Sequence, residues 1–168
     1  MPTIPELVEQ LATALKARDQ MMATAESCTG GLIAGACTEI SGSSDWFERG
    51  FVTYSNAAKS ELLGVPAALI AEHGAVSEPV ARAMAAGAVA NAHAHWSVAV
   101  TGVAGPTGGT PEKPVGMVCF GWAGVGGKDG AVVAVTRHFS GDRASVRRQS
   151  VICALQGVIE RLEYLGKH

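Results

Sequence analysis

No run in this sequence is apolar for long enough to cross a membrane, and Glu6, Glu9, Lys16, Arg18 and Asp19 interrupt each apolar segment near the N-terminus, so no secretory leader is expected. Charge is sparse at 17% of residues, with 13 Lys and Arg against 15 Asp and Glu, a formal net charge of −2. That leaves no basic footprint for nucleic acid or an anionic membrane, and any anion must be recognised locally. Cys28, Cys37, Cys119 and Cys153 form no Cys-x-x-Cys pair, which excludes a disulfide framework or zinc knuckle and fits reduced core thiols in a cytoplasmic protein. His93 and His95 near a helix end have no acidic or cysteine partner pattern, so no metal site is expected. Position 25 is Ala and position 29 is Thr, where a Gly-x-Ser-x-Gly elbow around Ser27 would need glycines, and no Gly-Lys-Ser/Thr ending marks a P-loop.

The 168 residues, 48% of them hydrophobic, suffice for one domain spanning 1–168. Thr3-Ile4-Pro5-Glu6 has the form of a capping box, and Leu7, Leu11, Ala14 and Leu15 follow at helical spacing to about Arg18. A strand is expected at Met21–Ala25, a helix from Gly31 to about Ile40, and a second strand at Gly50–Tyr54. A helix capped by Ser55 or Asn56 then runs to Gly64-Val65-Pro66, a short helical segment to His73-Gly74, and an alanine-rich helix from Ser77-Glu78-Pro79 to about His95. Trp96–Thr101 reads as a buried strand. Val115–Ala123 and Ala131–Phe139 read as a hairpin joined through Gly124–Gly130, and Asp142 caps a last helix from Arg143 to about Leu165, with Val151, Leu155, Val158, Ile159 and Leu162 on its core face. The expected architecture is α/β: a single-domain, three-layer α/β/α sandwich with a mixed β-sheet.

Four places carry chemistry. Met21–Ile33 passes from strand through Ser27-Cys28-Thr29-Gly30-Gly31 into a helix, whose N-terminus favours an anion or a developing oxyanion. The same residues also suit a plain cap, with Ser27 or Thr29 bonding the helix and the glycines allowing close packing. Tyr54 and Lys59 flank a strand-to-helix corner, and a lysine in a helix's first turn opposes the dipole. Thr101 opens a glycine-rich loop, Gly102 to Thr110, at a strand end where open sheets bind ligands. Arg143 and Arg147 share one face at a helix start, suited to a phosphate or carboxylate, or else to a salt bridge with Asp142 or Glu39. Together these suit hydrolysis of a phosphorylated compound with Ser27 as nucleophile.

Glu26-Ser27-Cys28-Thr29-Gly30-Gly31, Gly50-Phe51-Val52-Thr53-Tyr54-Ser55-Asn56-Ala57-Ala58-Lys59, His73-Gly74-Ala75-Val76-Ser77, Thr101-Gly102-Val103-Ala104-Gly105-Pro106 and Gly141-Asp142-Arg143 resemble successive signatures of the CinA C-terminal domain family, in order from about residue 6 to 165. The resemblance implies a stand-alone nicotinamide mononucleotide deamidase that hydrolyses the carboxamide to nicotinate mononucleotide and ammonia. In that reading Ser27 attacks, a neutral Lys59 accepts its proton, and Tyr54 relays or orients the proton bound for ammonia. Amides around Cys28–Gly30 or Gly102–Gly105 would hold the oxyanion, so Thr29, Gly30, Gly102 and Gly105 join the substrate site. Ser44 and Thr101 resemble family positions that contact substrate, and Arg143, with Arg147, would hold the phosphate. No cofactor or metal is implied, and the alanine-rich Ala81–Ala94 is a candidate homodimer surface. The rivals are a serine amidohydrolase for another small phosphorylated amide and a non-catalytic nucleotide-binding or partner-interaction module.

Overall fold

The computed structural model describes residues 2–124 and 132–167, with side chains as far as Tyr164. Its elements are α1 (Ile4–Ala17), β1 (Met22–Glu26), α2 (Leu32–Cys37), a 3-10 turn (Ser43–Asp45), β2 (Phe47–Val52), α3 (Asn56–Leu63), α4 (Ala67–His73), α5 (Glu78–Ala90), β3 (Trp96–Gly102), β4 (Met117–Gly124), β5 (Val133–His138) and α6 (Arg143–Lys167). Residues 125–130 of the expected hairpin connection lie outside the described residues.

The five strands form one sheet in the order β2-β1-β3-β4-β5. β1 pairs in parallel with β2 and β3, whereas β4 is antiparallel to both β3 and β5. Every residue of β1 is buried, as is nearly all of β3, because helices cover both faces of the parallel part. On one face α1, α2 and α6 pack with Leu11, Leu15, Ile33, Trp46, Phe120, Leu155 and Leu162. On the other, α3, α4 and α5 enclose a smaller core of Leu63, Val65, Val80, Met84, Ala99 and Ala123. The expected three-layer α/β/α architecture with a mixed sheet is thus the one observed.

Several boundaries differ from the expected ones, each for a local reason. Gly31 takes a left-handed conformation (φ +106°), so α2 begins at Leu32, and it ends at Cys37 where Thr38 returns its hydroxyl to the Ala34 and Gly35 carbonyls. β2 begins at Phe47, in register with Met22 of β1, and stops at Val52. α5 ends at Ala90 because Asn91 folds its amide onto the Gly87 carbonyl. One face of the alanine-rich helix is covered: Ala81, Ala85 and Ala88 are buried in the chain's own core. A Cβ on Gly121 would lie 2.4 Å from the Ala81 carbonyl oxygen, so small residues on both sides let α5 lie close on the sheet. That face of the helix therefore belongs to the chain's own core, while Arg82, Ala86 and Ala90 on its other side are exposed.

Candidate active site

β1, β2 and β3 run parallel and end on the same side of the sheet, which brings three connections together there. Beyond β1, the Ser27 N–H bonds the Val100 carbonyl and the Gly30 N–H closes onto the Ser27 carbonyl at 3.0 Å. Gly30 (φ +58°) and Gly31 (φ +106°) adopt left-handed geometry that other residues rarely take. Neither Ser27 nor Thr29 caps α2. The fully buried Glu26 carboxylate does so, accepting from the Ile33 N–H at 2.8 Å, the Ala34 N–H at 3.0 Å and the Thr29 hydroxyl at 2.7 Å. An anion at a helix N-terminus is electrostatically favoured, and with this one capping α2 the Ser27 hydroxyl turns instead to the Tyr54 carbonyl, 3.5 Å away.

Beyond β2, Ser55 caps α3 through the Ala58 N–H and so directs the helix's first turn back toward Ser27. Lys59 Nζ stands 3.0 Å from Ser27 Oγ and is also held by the Thr53 carbonyl at 3.1 Å and the Tyr54 carbonyl at 3.3 Å. Lys59 is 1% exposed, and among the described residues no carboxylate pairs with it. Burial pushes its pKa below the ordinary 10.5, the direction a general base requires. The Tyr54 side chain points elsewhere: it is 64% exposed, and its hydroxyl lies 3.4 Å from Arg143 Nη2. Cys28, next to the serine, has its thiol pushed up to about 11 by burial and is protonated near neutral pH.

These groups line one side of a cleft of about 370 Å3 whose other wall is the loop after β3. Thr101, Gly102 and Gly105 line it, but the Thr101 hydroxyl is spent on the Ala75 carbonyl, tying the α4–α5 connection to β3. Gly102 is tightly constrained, since a Cβ there would meet Val118 Cγ2 at 2.8 Å. Arg143, first residue of α6, reaches into the cleft and donates to the Gly105 carbonyl at 2.9 Å. Thr29, Gly30 and Arg147 do not line it; Thr29 is fully buried behind the turn. Ser44 stands apart, just before β2 at the amino end of the strands. Two contributors were not singled out as site residues from the sequence. Asn56, which the sequence offers as a cap and within a family signature, lines the cleft, and Glu26, which the sequence offers only within a signature, caps α2.

The sequence model of the CinA C-terminal domain matches residues 5–162. The chain belongs to the CinA C-terminal domain family. This CinA C-terminal domain is 55% identical over 151 residues to a nicotinamide-nucleotide amidohydrolase PncC of Enterobacter agglomerans, and 54% identical over 153 residues to the protein of that name in Escherichia coli K12, with 90% of each chain covered in both cases. Its fold matches the crystal structure of the competence/damage inducible protein CihA of Agrobacterium tumefaciens with a TM-score of 0.91, 44% identity and 97% of both chains covered. Every residue that lines the cleft falls within the matched span.

Proposed function

We propose that this CinA C-terminal domain is a nicotinamide mononucleotide amidohydrolase that uses Ser27 as nucleophile and Lys59 as base, a cytoplasmic enzyme of pyridine-nucleotide recycling. The observation that carries the mechanism is a buried amine without a carboxylate partner, 3.0 Å from the only serine hydroxyl lining the cleft among the described residues. The substrate class rests on the 50–55% identical relatives that bear the amidohydrolase name.

Neutral Lys59 accepts the Ser27 proton as Oγ attacks the carboxamide carbon. The carbonyl oxygen becomes an oxyanion beside the backbone of Cys28, which lines the cleft next to Ser27. Lys59, now an ammonium, returns its proton to the departing nitrogen; the C–N bond breaks and ammonia leaves, with nicotinate joined to Ser27 as an ester. Water then attacks that ester with Lys59 again as base, which frees nicotinate mononucleotide and restores the serine. Among the described residues Lys59 is the only ionisable side chain that contacts the reacting hydroxyl, whose other partner is the Tyr54 carbonyl at 3.5 Å, so Lys59 carries the proton and the Tyr54 side chain serves the far end of the cleft, steadying Arg143 against the phosphate.

The test is ammonia release from nicotinamide mononucleotide, abolished in Ser27→Ala with folding unchanged. The rival, a serine amidohydrolase for a different phosphorylated amide, shares the dyad and is favoured if well-folded protein leaves this substrate untouched. Arg143→Ala is expected to raise KM for the mononucleotide about tenfold or more, as loss of a charge-assisted contact to phosphate should.

A further inference from the structure

Arg143 and Arg147 were expected to act together on a phosphate, but α6 sends them to different places. Arg147, one turn further on, is half-buried and lies outside the cleft lining. Its Nε donates to the Cys28 carbonyl at 3.2 Å and its Nη2 to the Thr29 carbonyl at 3.3 Å. The same Nη2 would lie 3.5 Å from a Cβ on Gly30, so the guanidinium rests against the turn itself.

A trans peptide is planar, so fixing a carbonyl also fixes the N–H of the following residue, which points the opposite way. Holding the Cys28 carbonyl aims the Thr29 N–H, and holding the Thr29 carbonyl aims the Gly30 N–H, which closes on the Ser27 carbonyl at 3.0 Å. On the opposite side of residue 29 the Glu26 carboxylate takes the Thr29 hydroxyl at 2.7 Å. We infer that Arg147 is a positioning residue: with Glu26 it clamps the turn after Ser27, so that the Gly30 N–H holds the Ser27 carbonyl and the planar peptide that follows sets the Cys28 N–H toward the oxyanion, and it makes no contact with the substrate's phosphate. The inference deepens the amidohydrolase reading and rests on it for the chemistry. It also explains a cation near the start of α6 that no ion pair among the described residues accounts for.

The experiment compares Arg147→Ala, Arg147→Lys and Arg143→Ala on nicotinamide mononucleotide and on nicotinamide riboside, which lacks the phosphate. Arg147→Ala is expected to lower kcat about 10- to 100-fold on both substrates alike, as misplaced reacting groups do, with KM changed less than about threefold. Arg147→Lys should recover part of the loss, one ammonium replacing a two-pronged donor. Arg143→Ala should instead raise KM for the mononucleotide and leave the riboside unaffected. A rise in KM confined to the mononucleotide in Arg147→Ala would overturn the inference in favour of a phosphate contact. An unchanged kcat with a lowered Tm would overturn it in favour of simple helix anchoring. Amide hydrogen exchange supplies a readout independent of any substrate: in Arg147→Ala the Gly30 N–H should exchange about tenfold faster while the Ser27 N–H, bonded into the sheet, keeps its rate. Equal Gly30 protection in parent and variant would contradict the clamp even if the substrate assignment proved wrong.

Discussion

Lys59 and Cys28 stand at the same serine and burial acts on them in opposite directions. Desolvation disfavours the charged form of each, which for the lysine means a lowered pKa and for the cysteine a thiol held up at about 11. Cys28→Ala should therefore keep at least about half of the parent kcat, and iodoacetamide at pH 7 should not inactivate the enzyme; rapid inactivation would make the thiol a participant. For Lys59 the folded-state pKa lies below the unfolded one, so between the two values the unfolded chain holds more protons and stability rises with pH. Lys59→Met is accordingly expected to abolish activity yet raise Tm at pH 7, with the gain shrinking as pH climbs toward 10.5, and kcat/KM of the parent should climb with pH along a limb lying below that value. Scanning calorimetry and a pH-rate profile check both. Ser27 and Lys59 were legible at this scale because a polar cluster after an apolar strand and a lysine in a helix's first turn are both local anomalies. Glu26 and Arg147 were not, since a cap reaching forward from the preceding strand and a brace 119 residues away along the chain leave no spacing to read.

At the scale of elements, the corner between β2 and α3 brings Lys59 to Ser27. Tyr54 and Lys59 are five apart and could not share a face of one continuous helix; the strand end, the Ser55 cap and the first turn of α3 bring the lysine onto Ser27 instead. Ser55→Ala should cost about 1 kcal/mol of stability by urea titration and lower kcat at the same time, because the cap aims the turn that carries Lys59. Retention of full kcat would detach the cap from the chemistry. Helix interiors and strand cores followed from periodicity, and some ends from cap residues such as Thr3, Ser55, Gly64 and Ser77, but other ends did not: Gly31, Val52 and Asn91 set boundaries through left-handed backbone, parallel register and a side-chain cap, all invisible to hydrophobic spacing.

Across the whole molecule, the three-layer architecture could be read from alternating strands and helices, whereas the order β2-β1-β3-β4-β5 could not, because strand pairing is non-local. That order is what gathers the ends of β1, β2 and β3 beside the start of α6. The reading of α5 shows the same gap: an alanine-rich face suits a second copy or a sheet equally well, and here it covers β3 and β4. Gly121→Val should therefore push α5 off the sheet, costing about 1–3 kcal/mol and about 2–12 °C in Tm; an unchanged Tm would mean the contact has more give than its 2.4 Å spacing implies.

The most direct test of the account is ammonia release from nicotinamide mononucleotide by the purified protein beside Ser27→Ala, without added metal. Stoichiometric ammonia and nicotinate mononucleotide from the parent, and none from an equally folded variant, is the predicted result. Undiminished release by Ser27→Ala would contradict the serine mechanism, and no release by well-folded parent would contradict the assigned substrate.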